Sequence, residues 1–199
     1  MCGIFGCLRN TNNNDLDISN LILTALNLLK NRGYDSCGVY IKSIDETVNI
    51  KFGIDGEIIK QYSDKNIFDI FELLNYHIKN LNNPKSYYLG LGHTRWATHG
   101  GKTDHNSHPH ISNDKQIILV HNGIISNNNE LKLKYLNDYI FYSNTDTEVI
   151  VNMIQYLKTI HIDKNFNELL IELSSYLEGT WACIIFNINE PERLYFIKR

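Results

Sequence analysis

Apolar residues recur along this chain with two periods, and the two come in blocks rather than in strict alternation. Ile18, Leu21, Ile22, Ala25, Leu28 and Leu29 repeat at helical spacing and predict a first helix that stops at Gly33. Ile67, Phe68, Phe71, Leu74 and Ile78 share one face and predict a second helix over about 66–79, ended by Asn82-Asn83-Pro84. Residues 2–8, 37–43 and 87–93 read as strands, as does the apolar run Ile117–His121. Asn122-Gly123 behind that run predicts a turn. Thr145-x-x-Glu148 fits a capping box that opens a helix through Val149, Ile150, Met153, Ile154 and Leu157. A further helix is expected at about 165–177, and Trp181–Asn187 and Arg193–Lys198 close the chain as strands. Grouped strands and grouped helices predict layered α+β packing in a single domain over residues 1–199, with no linker or repeat to divide it.

Composition narrows the function classes. A chain of 199 residues with 43% hydrophobic and 21% charged content can bury a substantial core. A formal net charge of −3 without a Lys/Arg run leaves no electrostatic footprint for nucleic acid or an anionic membrane, so small molecules are the expected ligands. No apolar stretch nears the roughly 20 residues that span a bilayer, and the first ten residues lack a signal-peptide pattern, so a cytoplasmic location is expected. Cys2, Cys7, Cys37 and Cys183 form no C-x-x-C pair, which suits free thiols, three of them serving only to pack.

Cys2 stands directly behind Met1. Removing that one residue would put a thiol and a free α-amine on the same carbon. With reference pKa values of about 8.5 and about 7.7–8.0, the amine can take the thiol proton near neutral pH. Taken alone, Met-Cys fits a small buried Cys at the start of a strand better. Further chemistry collects in the loop after His93. Arg95 offers a planar fork for a carboxylate, although a structural salt bridge is the commoner use, and Trp96 reads by itself as core. Asn122 through its side-chain amide and Gly123 through its backbone N–H can aim at one developing oxyanion. Asp146 either favours a helix dipole or holds a ligand ammonium. Histidines 93, 99, 105, 108, 110 and 121 invite a metal, but their spacing suits a loop and lacks acidic or thiol partners, so local hydrogen bonding is expected and no metal.

Six segments in this order resemble one family: Cys2-Gly3-Ile4-Phe5-Gly6, Arg32-Gly33-Tyr34-Asp35-Ser36, His93-Thr94-Arg95-Trp96-Ala97-Thr98-His99-Gly100, His108-Pro109-His110, Val120-His121-Asn122-Gly123-Ile124-Ile125 and Thr145-Asp146-Thr147-Glu148. Together they are similar to the glutaminase domain of glutamine–fructose-6-phosphate aminotransferases, a class II glutamine amidotransferase. The resemblance implies the N-terminal nucleophile hydrolase fold, a four-layer αββα sandwich. It implies Cys2 as nucleophile with its own freed amine as base, and Asn122 and Gly123 as oxyanion donors. It further implies Arg95 on the α-carboxylate of L-glutamine, Asp146 on its α-ammonium, Trp96, Thr98 and His99 in a loop that closes over it, and Arg32 supporting the nucleophile. The implied reaction runs through a γ-glutamyl thioester, needs no cofactor, and supplies ammonia to sugar isomerase (synthase) domains in the same full-length protein or a separate subunit. A catalytically silent glutamine-sensing or regulatory subunit is the alternative.

Overall fold

The computed structural model describes residues 2–9, 16–62, 65–67, 69–97 and 100–199; the readings on Met1, Phe68, Thr98 and His99 lie outside them. Strands β1 (Gly3–Leu8), β2 (Ser36–Lys42), β3 (Thr47–Gly53) and β4 (Leu89–Arg95) form one antiparallel sheet in the order β1-β4-β2-β3. Strands β5 (His110–Ile111), β6 (Ile117–Ile125), β7 (Gly179–Asn187) and β8 (Tyr195–Lys198) form a second, in the order β5-β6-β7-β8.

Helix α1 (Ile18–Leu29) covers the outer face of the first sheet with a short α2 (Glu57–Lys60) and α3 (Ile70–Lys79); α4 (Asn128–Tyr135), α5 (Thr147–Ile160) and α6 (Phe166–Tyr176) belong to the second. The strand period explains the layering. Val39 and Ile41 of β2 face outward onto Ile22, Leu26, Phe71 and Leu74, whereas Tyr40 between them faces inward. Tyr40, Leu89, Leu91, Ile118, Val120 and Phe186 fill the space between the sheets. Helix, sheet, sheet and helix therefore stack as the four-layer αββα sandwich, around three apolar layers.

Helix boundaries follow their caps. Asp17 accepts the Asn20 N–H (3.1 Å) to open α1, and a 3-10 turn at Lys30–Arg32 ends at Gly33 as expected. The second helix starts later than its apolar pattern suggests, because the Asp69 carboxylate accepts from the Phe71 and Glu72 N–H groups and fixes the start at Ile70. Asn122-Gly123 is no turn: β6 runs through it to Ile125, pairing Asn122 with Ala182 and Gly123 with Trp181. At Gly123 φ is +144°, and a Cβ there would lie 2.1 Å from the Thr180 carbonyl oxygen. The glycine thus marks a close backbone approach inside the strand rather than a hairpin. Strand β3 and helices α2 and α4 add to the elements expected from the apolar pattern; in α4 only Leu131 is buried, which leaves almost no apolar stripe to read. Among the described residues no helix is long and apolar enough to cross a membrane.

Candidate active site

Antiparallel pairing of β1 with β4 sets Gly3 opposite Thr94, and so carries Cys2 to the end of β4, beside Trp96. The Trp96 N–H donates to the Cys2 sulfur (3.3 Å), and the thiol donates to the Trp96 carbonyl (3.6 Å). Thr94 ties this corner down: its Oγ1 accepts the Gly3 N–H (3.2 Å) and donates to the Leu29 carbonyl (3.1 Å), linking both strands to α1. Arg32 reaches over from the 3-10 turn, its Nε–H donating to the Cys2 carbonyl (3.3 Å).

Cys2, Arg95, Trp96, His108, His121, Gly123, Thr145, Asp146 and Thr147 line one small cavity of about 20 Å³. The structure thus brings Cys2 together with both predicted charge partners and with Gly123. Asn122, one residue earlier on β6, is partly buried and does not line the cavity. Thr98 and His99 lie outside the described residues.

The guanidinium of Arg95 is buried (3% exposed), and its Nη1 donates to the Gly101 carbonyl (3.0 Å). Burial pulls its pKa down, opposed by Cys2, Asp35 and Asp146. Burial rules out a surface ion pair for Arg95 and leaves a structural one open, with Asp35 and Asp146 both acting on its charge. Burial also pushes the Cys2 thiol up, opposed by the Trp96 N–H and by Arg95. Trp96 is not core: it is 46% exposed at the cavity rim and meets the exposed Tyr34 ring at 5.5 Å.

Asp146 stands at the start of α5, where the helix dipole favours its charge, but it does not cap the helix. Its carboxylate makes no cap hydrogen bond to α5 but accepts the Ile125 N–H (2.8 Å) from the end of β6. Nor do Thr145 and Glu148 form a capping box. The Glu148 carboxylate turns back to accept from the Tyr142 N–H (2.9 Å), the Ser143 N–H (2.7 Å) and the Ser143 hydroxyl (2.6 Å). The segment leading into α5 is bound into the core, and that holds Asp146 at the cavity.

One further residue of the site is not evident from the sequence pattern. Asp35, 4% exposed, accepts the Ala97 N–H (2.9 Å) and the Lys102 ammonium (2.7 Å), and so grips both ends of the loop that follows Arg95. Burial pushes its carboxyl up, but Lys102 and the Ala97 N–H outweigh that and hold it below the ordinary range. Asn106 fastens the same loop by donating to the Gly101 carbonyl (3.0 Å). The signal in the sequence is the acidic side chain itself, placed inside the Arg32-Gly33-Tyr34-Asp35-Ser36 segment directly before a strand.

Of the six histidines, His93, His108, His110 and His121 make side-chain hydrogen bonds, while His99 lies outside the described residues. His93 Nε2–H donates to the His121 carbonyl (2.9 Å), and Thr147 Oγ1 lies between His108 Nε2 (2.8 Å) and His121 Nδ1 (2.9 Å). Among the described residues no group of three or more His, Cys, Asp or Glu is arranged to hold a metal ion.

Residues 93–199 match the family model of the glutamine amidotransferase domain. Over its whole length the chain is 39% identical to a probable glutamine–fructose-6-phosphate aminotransferase [isomerizing] of Acanthamoeba polyphaga mimivirus, covering 29% of that protein. It is 36% identical over its whole length to the glutamine–fructose-6-phosphate aminotransferase [isomerizing] of Methanococcus maripaludis, covering 30% of it. The chain thus spans about 30% of the length of the curated relatives it matches. In fold it is similar to the glutamine phosphoribosylpyrophosphate amidotransferase of B. subtilis, with a TM-score of 0.63 at 20% identity over 94% of this chain and 35% of that one.

Proposed function

The chain belongs to the glutamine amidotransferase domain family, and from that premise we propose that it hydrolyses the side-chain amide of glutamine to glutamate and ammonia through the thiol of Cys2. The observation that carries this reading is the convergence on one cavity of a thiol, a buried guanidinium and a buried carboxylate. Such a pair of opposite charges suits the two ends of an amino-acid zwitterion and would orient the amide against sulfur, which can contribute several kcal/mol through proximity alone.

In the proposed reaction Met1 is removed and the freed amine accepts the Cys2 proton. Sulfur attacks the amide carbon, and the Gly123 N–H holds the oxyanion together with the Asn122 amide, whose side chain must turn into the cavity to do so. Ammonia leaves, and water cleaves the γ-glutamyl thioester. A cavity of about 20 Å³ has room for roughly one water, so it must widen to admit glutamine. The relatives' names support delivery of the ammonia to fructose 6-phosphate by sugar isomerase domains, in the same full-length protein or a separate subunit.

Intact-mass analysis of the N-terminus and a glutaminase assay test the proposal together. Protein that begins at Cys2 should release glutamate and ammonia, and Cys2→Ala should lower the rate by at least about a thousandfold, as loss of a nucleophile does, with the circular-dichroism spectrum unchanged. Turnover that survives Cys2→Ala, or that proceeds with Met1 retained, rejects the mechanism.

A further inference from the structure

A second cavity, of about 560 Å³, opens between the two sheets at the β3 and β5 edge. The strand period shows why it is there. Along β3, Val48, Ile50 and Phe52 face the helices, so Thr47, Asn49 and Lys51 face the other sheet, where a sandwich ordinarily needs apolar side chains. Opposite them β5 is only two residues long, His110 and Ile111, and leaves the space unfilled.

Lys51 is the unusual member. It is partly withdrawn from water, yet among the described residues its ammonium makes no hydrogen bond and no ion pair. Lys42 and Lys115 stand at the same cavity. The one carboxylate that lines it, Glu148, already accepts from two backbone N–H groups and the Ser143 hydroxyl. Burial lowers the Lys51 pKa, opposed by Glu148 and Asp104, which is the cost a bound anion would offset.

From this geometry we infer that the cavity between β3 and β5 is a binding site for a small phosphate monoester, held by Lys51 at its phosphate and by Ile111, Ile118 and Ile188 along its organic part. With Lys42 and Lys115 farther along the lining and its one carboxylate already occupied, the cavity is net positive around Lys51, which suits a group that carries nearly two charges and three acceptor oxygens. The volume exceeds what a bare anion fills and falls within the range of small-molecule sites. His110 lines this cavity while His108, in edge contact with it (ring centroids 4.8 Å apart), lines the Cys2 cavity, so the two sites share a wall.

Titration of the chain with glycerol 3-phosphate and, separately, inorganic phosphate, followed by calorimetry and by amide NMR, tests the inference. Saturable binding with shifts gathered at Asn49, Lys51, Ile111 and Ile188 is expected. Binding of the ester at least tenfold tighter than inorganic phosphate supports an organic ligand, and equal or weaker affinity overturns the monoester in favour of the free anion. Lys51→Met should weaken binding at least tenfold, and Lys51→Arg should restore most of it. No saturable binding, shifts located elsewhere, or undiminished affinity in Lys51→Met overturns the inference. Should Lys51→Met fail to fold, the shift map of the unaltered chain decides.

Discussion

Burial pushes the thiols of Cys7, Cys37 and Cys183 up, that of Cys7 to about 11, and the Cys7 thiol donates to the Gly90 carbonyl. Cys2 feels the same burial but is opposed by the Trp96 N–H and the Arg95 guanidinium, and of the four it alone lines the cavity. Reactivity here is thus a property of position rather than of residue type. The same argument assigns different consequences to two other residues. Asp146→Asn keeps an oxygen for the Ile125 N–H and removes only the charge, so the fold should hold. Loss of a charged hydrogen bond of about 1.5–3 kcal/mol should then raise KM for glutamine by about 10- to 150-fold, and an unchanged KM would free Asp146 of its role. Gly123→Ala acts on stability instead. With φ at +144° and the Thr180 oxygen 2.1 Å from the new Cβ, the strand must move. Denaturant unfolding should show a loss of at least about 2 kcal/mol, and a loss below about 0.5 kcal/mol would mean that the strand relaxes freely.

Elements with a strong apolar stripe are legible in the sequence alone, as α1 and α6 are, and the structure adds their caps, Asp17 for α1 and an Asn165–Glu168 capping box for α6. Where a signal has two meanings the commoner one misleads, at Asn122-Gly123 and at Thr145-x-x-Glu148, because the deciding partners, Thr180 and Ser143, come together only in the folded chain. The site is legible as residue types but not as an assembly. Cys2, Arg95, Gly123 and Asp146 come from four distant segments, and periodicity says nothing of their meeting; only the motif resemblance points to it. The loop after Arg95 shows how such an element is controlled. Asp35 holds Ala97 at one end and Lys102 at the other, so Asp35→Ala should release both. Lys102 is 40% exposed in its side chain, so the ion pair itself contributes little to global stability. The expected result is faster tryptic cleavage after Lys102 together with a higher KM for glutamine, and no more than about 1 kcal/mol of lost stability. Cleavage at the unaltered rate would show that the loop is held by other contacts.

Across the whole molecule the two sheets are joined not only by the apolar layer of Leu91, Val120 and Phe186 but also by four buried imidazoles, on β4, β5, β6 and the segment before β5. His93 stacks on His108 with ring centroids 3.9 Å apart and donates across the gap to β6. His93 Nδ1, His108 Nδ1 and His121 Nε2 are buried without a partner among the described residues, so a proton added there would find no acceptor. Burial accordingly lowers the pKa of His93 to about 3 and of His121 to about 4, and holds His108 and His110 well below the ordinary value of 6.5. Because each folded pKa is depressed, the unfolded chain binds more protons than the folded one between about pH 6.5 and 4. The contribution of these histidines is therefore fully present above about pH 6.5 and is lost as the pH falls toward the folded values. Two such sites alone give a slope of about 3 kcal/mol per pH unit, against a total stability on the order of 5–15 kcal/mol. Urea midpoints should hold steady from about pH 8 to 7, fall steeply below about 6.5, and reach unfolding above about pH 4, with uptake of two or more protons. A midpoint that stays flat to about pH 4.5 would mean that the protonated imidazoles find acceptors inside the joint.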